Sequence, residues 1–185
     1  MTSRDDDLET IAEILSGNER SFEKIVSKYQ ERVFRLCASM VGQSAAEDAA
    51  QEIFLKVFVS LRSFKGKSSF STWLYRVASN HCLNLIRKEK KEKSVSLDSI
   101  GDDGGPPQEF SSHEPPIQES LEKKQVVRLT LDQLSPDERL ILTLREMEGL
   151  SYGELADTLE ISLQTVKIRL FRARRSFIKI AAKWM

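Results

Sequence analysis

Trp73, Arg76, Asn80, Asn84, Arg87, Lys88 and Lys91 recur at intervals of three and four, so a helix would carry them on one side. An aromatic ring, two amides and four cations along one rod suit single-stranded or splayed nucleic acid. The ring stacks on a base, the amides meet base edges and the cations hold the backbone. A plainer reading stays open, with Trp73 as core at a helix start. A second set lies near the C-terminus. On a helix beginning after Ser162, the residues Val166, Leu170, Ala173 and Phe177 make one apolar face. Gln164, Lys167, Ile168, Phe171, Arg172 and Arg175 stand opposite. Two large apolar side chains among cations fit the major groove, where a thymine methyl offers an apolar partner. Arg169 and Lys179 fall to the side, where phosphates would lie.

A third set needs no nucleic acid. Turning Ala46, Ala49, Ala50, Ile53, Phe54, Val57, Phe58 and Leu61 inward leaves Asp48, Gln51, Glu52, Leu55 and Val59 outside. An outward apolar pair rimmed by acids reads as a protein-binding patch, unless another helix of the same domain covers it.

The elements that position these sets are legible from their punctuation. A weak amphipathic helix runs from about Leu8 to Leu15. Asn18 is placed to cap a helix from Glu19 to Val41, closed by Gly42. Ser44 with Glu47 has capping-box spacing for a helix from Ala45 to Arg62, and a third long helix follows from about Ser71 to Lys91. Residues 94–118 hold four of the five prolines and three of the eight glycines, which predicts a linker. Helices resume from Glu119 to Leu134. Ser135-Pro136-Asp137-Glu138 then reads as cap, first-turn proline and capping-box glutamate. Ser151 with Glu154 opens a short helix from Tyr152 to Thr158, the Leu159-Glu160-Ile161 turn follows, and Ser162 caps the next: a helix-turn-helix. The expected fold is all-α, two small helical domains over 1–93 and 119–185 on either side of a flexible linker, articulated more than compact.

A formal net charge of zero conceals segregation. Residues 1–23 carry seven acids and two bases, and residues 65–93 carry eight bases and two acids. The 94–118 stretch has five acids and no base, while 163–185 has seven bases and no acid. Local basic faces on a neutral chain bind a polyanion at chosen places only. Cys37 and Cys82 belong to no metal-ligand spacing, His81 beside Cys82 makes no ligand pair, and no cofactor is expected. Both thiols fit a reducing cytoplasm, and neither a signal region nor an apolar run long enough for membrane insertion is read. Phosphate loops and nucleophile–base pairings are missing as well, which argues against an enzyme.

AAEDAAQEIFLKVF (45–58), FSTWLYRVASNHCLNLIRKEKK (70–91) and LSYGELADTLEISLQTVKIRLFRARRSF (150–177) together resemble the two conserved regions of extracytoplasmic-function sigma factors. The resemblance implies a transcription initiation factor whose partners are core RNA polymerase, promoter DNA and an anti-sigma factor. It implies that 1–93 is region 2 and 119–185 region 4. Asp48, Gln51, Glu52, Leu55 and Val59 would then dock on the clamp coiled coil of the largest polymerase subunit. Lys65, Lys67, Ser68, Trp73, Arg76, Asn80, Asn84, Arg87 and Lys88 would recognise and melt the −10 element. Gln164, Lys167, Ile168, Arg169, Phe171, Arg172 and Arg175 would read the −35 element. Many members carry serine where this chain has Ile168, so its −35 preference is expected to differ. The acidic 94–118 linker would thread toward the polymerase catalytic centre. A stand-alone regulator explains residues 119–185 equally well, but leaves the Trp73–Lys91 stripe without a purpose.

Overall fold

The computed structural model describes residues 3–98 and 119–184, and the side chains of 6–92 and 125–184. Eight α-helices make up the described chain: α1 (Ser3–Leu15), α2 (Phe22–Val41), α3 (Gln43–Ser60), α4 (Phe70–Asp98), α5 (Glu119–Asp132), α6 (Pro136–Leu142), α7 (Tyr152–Leu159) and α8 (Leu163–Ala181). Single 3-10 turns lead into α2 and follow α3, and a π turn over Thr143–Met147 continues α6.

The first bundle is built on α2. Its Ile25, Tyr29, Val33, Leu36, Cys37 and Met40 recur every three or four residues and are all buried. They meet Ile53 and Val57 of α3 and Leu74, Ala78 and Cys82 of α4. The thiols of Cys37 and Cys82 lie 3.9 Å apart in this core, both unoxidised. The second bundle closes Leu140, Ile141 and Leu144 over Leu155, Val166, Leu170 and Ala173. A core of this kind holds α7 against α8 and thereby fixes the recognition helix.

Capping boxes form at Ser135/Glu138 and Ser151/Glu154, and Ser162 accepts from the Thr165 amide. Two expected caps do not form. Asn18 makes no side-chain cap bond, and the Ser44/Glu47 box does not open α3, whose cap position is Gly42. The chain enters α2 through a 3-10 turn in which Ser21 N–H donates to the Asn18 carbonyl. Gly42, at φ 85°, ends α2 and starts α3 at once. That left-handed geometry suits glycine and leaves Ser44 inside the first turn, past the cap position. A third difference is that α4 runs on to Asp98, because KEKKEK is made of good helix formers. The helix therefore takes the first five residues of the predicted linker, whose remainder lies outside the described residues.

The two bundles pack on one another, α4 against α7 and α2 against α6 and the π turn.

Candidate nucleic-acid interface

On α8, Val166, Leu170 and Ala173 are buried and Phe177 is half-buried, as the projection requires. Gln164, Lys167, Arg169, Arg172 and Arg175 are exposed, and so are Ile168 at 45% and Phe171 at 61%. The Arg175 guanidinium sits 5.8 Å from the centre of the Phe171 ring, so the cation and the ring form one outward unit. Arg174 turns the other way: its guanidinium bonds to Glu146 at 2.7 Å, and Ser176 bonds to Glu138 at 2.7 Å. These contacts fix the back of α8 on the π turn and on α6. The turn before α8 depends on Glu160, a non-glycine residue at φ 54°, which closes α7 in the left-handed region.

The α4 stripe divides into two parts. Asn80, Asn84, Arg87, Lys88 and Lys91 are exposed. Arg87 donates to Asn84 at 3.2 Å, which orients the amide, and Lys88 faces Glu92 at 3.9 Å. Trp73, for which an outward and a core position were both open, is half-buried, with its ring 5.5 Å from Phe64 and 5.8 Å from Phe70. Burial of one ring face is favourable because Phe64 and Phe70 supply apolar partners. The other edge lines a polar cleft of about 310 Å³ together with Lys65, Lys67, Ser68, Arg76 and Asp157. Ser69 Oγ accepts from the Thr72 amide and so starts α4 just before this cleft.

Arg76 lies at the cleft edge, half-buried, and is already engaged. Its guanidinium donates to the Asp157 carbonyl and pairs with Glu160 at 3.1 Å. Both partners belong to the helix-turn-helix, a meeting that no local spacing announces. Nearby, sequence reasoning also missed Glu148. Its carboxylate accepts from Tyr75 Oη at 2.6 Å, Arg32 Nε at 3.2 Å and Arg35 Nε at 3.2 Å. Burial first, and then that bond, push the Tyr75 phenol above its ordinary range. The bond to Glu148 likewise raises Arg35.

On α3, Asp48, Gln51 and Glu52 are exposed, with Leu55 at 66% and Val59 at 80%. Within the described residues no other helix covers the pair. Behind it, His81 of α4 is buried against the Lys56 ammonium, which contacts its Nδ1, while its Nε2 finds no hydrogen-bond partner among the described residues. No set of side chains able to hold a metal occurs among the described residues, and no helix there is long and apolar enough to cross a membrane.

A helix-turn-helix with a cationic outer face, carried on an all-helical chain, defines a DNA-binding protein of transcription. Residues 25–92 match the model of Sigma-70 region 2 and residues 124–177 that of Sigma-70, region 4. The ECF RNA polymerase sigma-E factor of Escherichia coli is 36% identical over 171 residues, 90% of this chain and 89% of that protein. That of Haemophilus influenzae is 34% identical over 170 residues, 89% of each. Among solved structures, CnrH in complex with the cytosolic domain of CnrY superposes with a TM-score of 0.68 at 22% identity, over 94% of this chain and 96% of that one. The sigma factor RpoE in complex with the anti-sigma factor NepR, from Bartonella quintana, gives 0.66 at 22%, over 87% and 96%. Both share the fold. The chain belongs to the ECF sigma factors of the sigma-70 family. It is therefore a DNA-binding transcription initiation factor.

Proposed function

We propose that this sigma factor docks on core RNA polymerase through Asp48, Gln51, Glu52, Leu55 and Val59 and directs it to promoters read at two elements. The α8 face, from Gln164 to Arg175, reads the −35 element. The 65–68 loop and the α4 stripe from Trp73 to Lys88 read the −10 element and promote melting. The chain works as a binding factor and not an enzyme, in the cytoplasm, with 1–93 and 119–185 as the two working domains and 94–118 as the tether. An anti-sigma factor is a further partner, as NepR is of the similar RpoE of Bartonella quintana.

One observation carries the reading: a single chain exposes two separate cationic helix faces, on α4 and α8, and a third face on α3 that is apolar and acid-rimmed. Base stacking and phosphate contacts account for the first two, and burial against a protein accounts for the third. Leu55→Asp with Val59→Asp tests the docking. The pair is exposed, so the melting temperature should hold while core polymerase pull-down and run-off transcription are lost. Normal run-off transcription by the folded double variant overturns the docking assignment.

A further inference from the structure

Cys37 and Cys82 are two nucleophiles that neither the promoter-reading nor the docking role uses. They are the two cysteines of the whole chain, 45 residues apart, and the fold brings them together in the core of the first bundle. Cys37 comes from α2 and Cys82 from α4, neither has any solvent exposure, and their sulfurs lie 3.9 Å apart. Packing alone asks only for small apolar side chains here, and Ala78, one turn before Cys82, is of that type. Two thiols in contact add what alanine cannot, a group that can lose two electrons and close a bond. The contact also makes the two sulfurs unlike. Its hydrogen bond lowers the Cys82 thiol, against the effect of burial, while the same bond and then burial raise Cys37. Cys82 is therefore the sulfur that reaches the thiolate first and attacks.

A disulfide is about 2.05 Å long, so the sulfurs must approach from 3.9 Å by about 1.9 Å. Rotation about the two Cα–Cβ bonds, with a small shift of α4 on the α2 helix it packs against, supplies that closure. The step needs an oxidant, and a hydroperoxide such as hydrogen peroxide is one. The Cys82 thiolate attacks a peroxide oxygen, the O–O bond breaks, and the sulfur becomes a sulfenic acid. The departing hydroxide takes up the proton that Cys82 released and leaves as water. Cys37 then attacks the same sulfur: the S–O bond breaks, the S–S bond forms, and a second water leaves with the Cys37 proton. Two electrons pass from the sulfur pair to the peroxide, which ends as two waters. Burial sets the pace. Peroxide reaches the sulfurs only when the bundle opens locally, so the pair answers slowly and to sustained exposure.

We propose that Cys37 and Cys82 are an oxidative modification site, a dithiol that hydroperoxide closes into a disulfide, and that the bond makes promoter opening by α4 sensitive to oxidant. The bond joins α2 to α4 across a 45-residue separation that encloses all of α3. Closing such a loop restricts the unfolded chain and stabilises the bundle. It also displaces α4. Asn80 and Asn84 are exposed two residues to either side of Cys82, and a shift on the order of 1 Å exceeds the spread of about 0.5 Å in hydrogen-bond lengths. The oxidised chain therefore keeps its fold and loses part of its promoter opening. That consequence rests on the assignment of α4 to the −10 element, whereas formation of the disulfide does not.

The test treats the full chain with graded hydrogen peroxide, removes the peroxide, and only then adds core polymerase, so that the polymerase's own thiols take no part. Cys37→Ala and Cys82→Ala are the controls, and each keeps the four methionines of the parent. The unsubstituted chain is informative by itself: peptide mapping reads a Cys37–Cys82 link and a mass lower by two hydrogens. Both thiols should disappear together, and the melting temperature should rise by several degrees. Run-off transcription, on a promoter recovered from a randomised library, should fall roughly fivefold, the loss that one misplaced hydrogen bond brings. A thiol reductant should restore both thiols and the run-off, and neither variant should respond. Thiols that survive peroxide in the folded protein, or oxidation of one sulfur without the other, overturn the site. A disulfide with undiminished run-off overturns the link to promoter opening, as does an equal loss in the alanine variants. No run-off from the untreated, reduced protein instead overturns the promoter-reading assignment and leaves the disulfide result standing.

Discussion

Tyr29 donates its hydroxyl to the buried carboxylate of Asp7 at 2.6 Å, and this bond ties α1 to the centre of α2. Lys28 reaches the other oxygen of the same carboxylate at 2.5 Å. Asp7→Ala should cost about 1–3 kcal/mol, since it leaves the Tyr29 hydroxyl buried without its acceptor. Thermal melts should show the loss. Tyr29→Phe alone should cost less, and combining the two should add little to Asp7→Ala, because both remove the same bond. Strictly additive effects would show that the bond contributes nothing of its own.

His81 makes the acid side of the stability curve sensitive to one residue. Burial first, then the Lys56 ammonium, hold its imidazole below the ordinary value of 6.5, and the nearby Glu52 opposes them only in part. The unfolded chain therefore takes up the proton first. Stability is complete above about pH 6.5 and falls as the pH drops through it, by at most about 1.4 kcal/mol per unit. Urea denaturation at a series of pH values should show a shallower acid-side loss in His81→Gln than in the parent. Parallel curves would assign the loss to other groups.

Arg172 and Arg169 are both exposed on α8, but at different angles around the helix. Arg172→Ala should weaken −35 binding by the holoenzyme by about 1–3 kcal/mol and relax preference at one base position. Arg169→Ala should weaken all sequences alike and lower the salt dependence. Binding to a library of −35 variants separates the two, and sequence-blind losses from both would mean that the groove-facing side is misassigned.

Asn80 is exposed at mid-stripe, so its removal should leave folding alone. Contacts made only to an extruded base favour the open complex over the closed one. Asn80→Ala should reduce permanganate reactivity of melted thymines on duplex promoters and recover on a pre-melted bubble. A normal footprint on duplex DNA would take Asn80 out of the recognition surface.

What the sequence revealed was local. The boxes at Ser135 and Ser151 and the cap at Ser162 were legible because cap and partner lie three residues apart, and the in-and-out pattern of α3 and α8 follows from helix geometry. Ser44 misled because a glycine in a left-handed conformation can start a helix with no side-chain cap. Trp73 packs on Phe64 and Phe70, which come from a loop and a helix start, so one-helix reasoning offers both an outward and a core position for it and cannot choose between them. Glu148 was invisible for a stronger reason. Its partners lie 73 to 116 residues away, and nothing in REMEGL distinguishes it from a solvent-facing acid.

Glu160 bears on how such a protein is altered by chance. It sits at φ 54°, where a side chain costs about 1–2 kcal/mol relative to glycine, and its pairing with the half-buried Arg76 leaves the carboxylate mostly in solvent and is worth about 1 kcal/mol. The two effects nearly cancel, so Glu160→Gly should leave the melting temperature within a few degrees of the parent. A library sorted for heat tolerance would therefore accept glycine here freely. Selection at this position can act only through an assay that senses whether the two halves touch, which makes it a place where robustness and regulation can drift apart unnoticed.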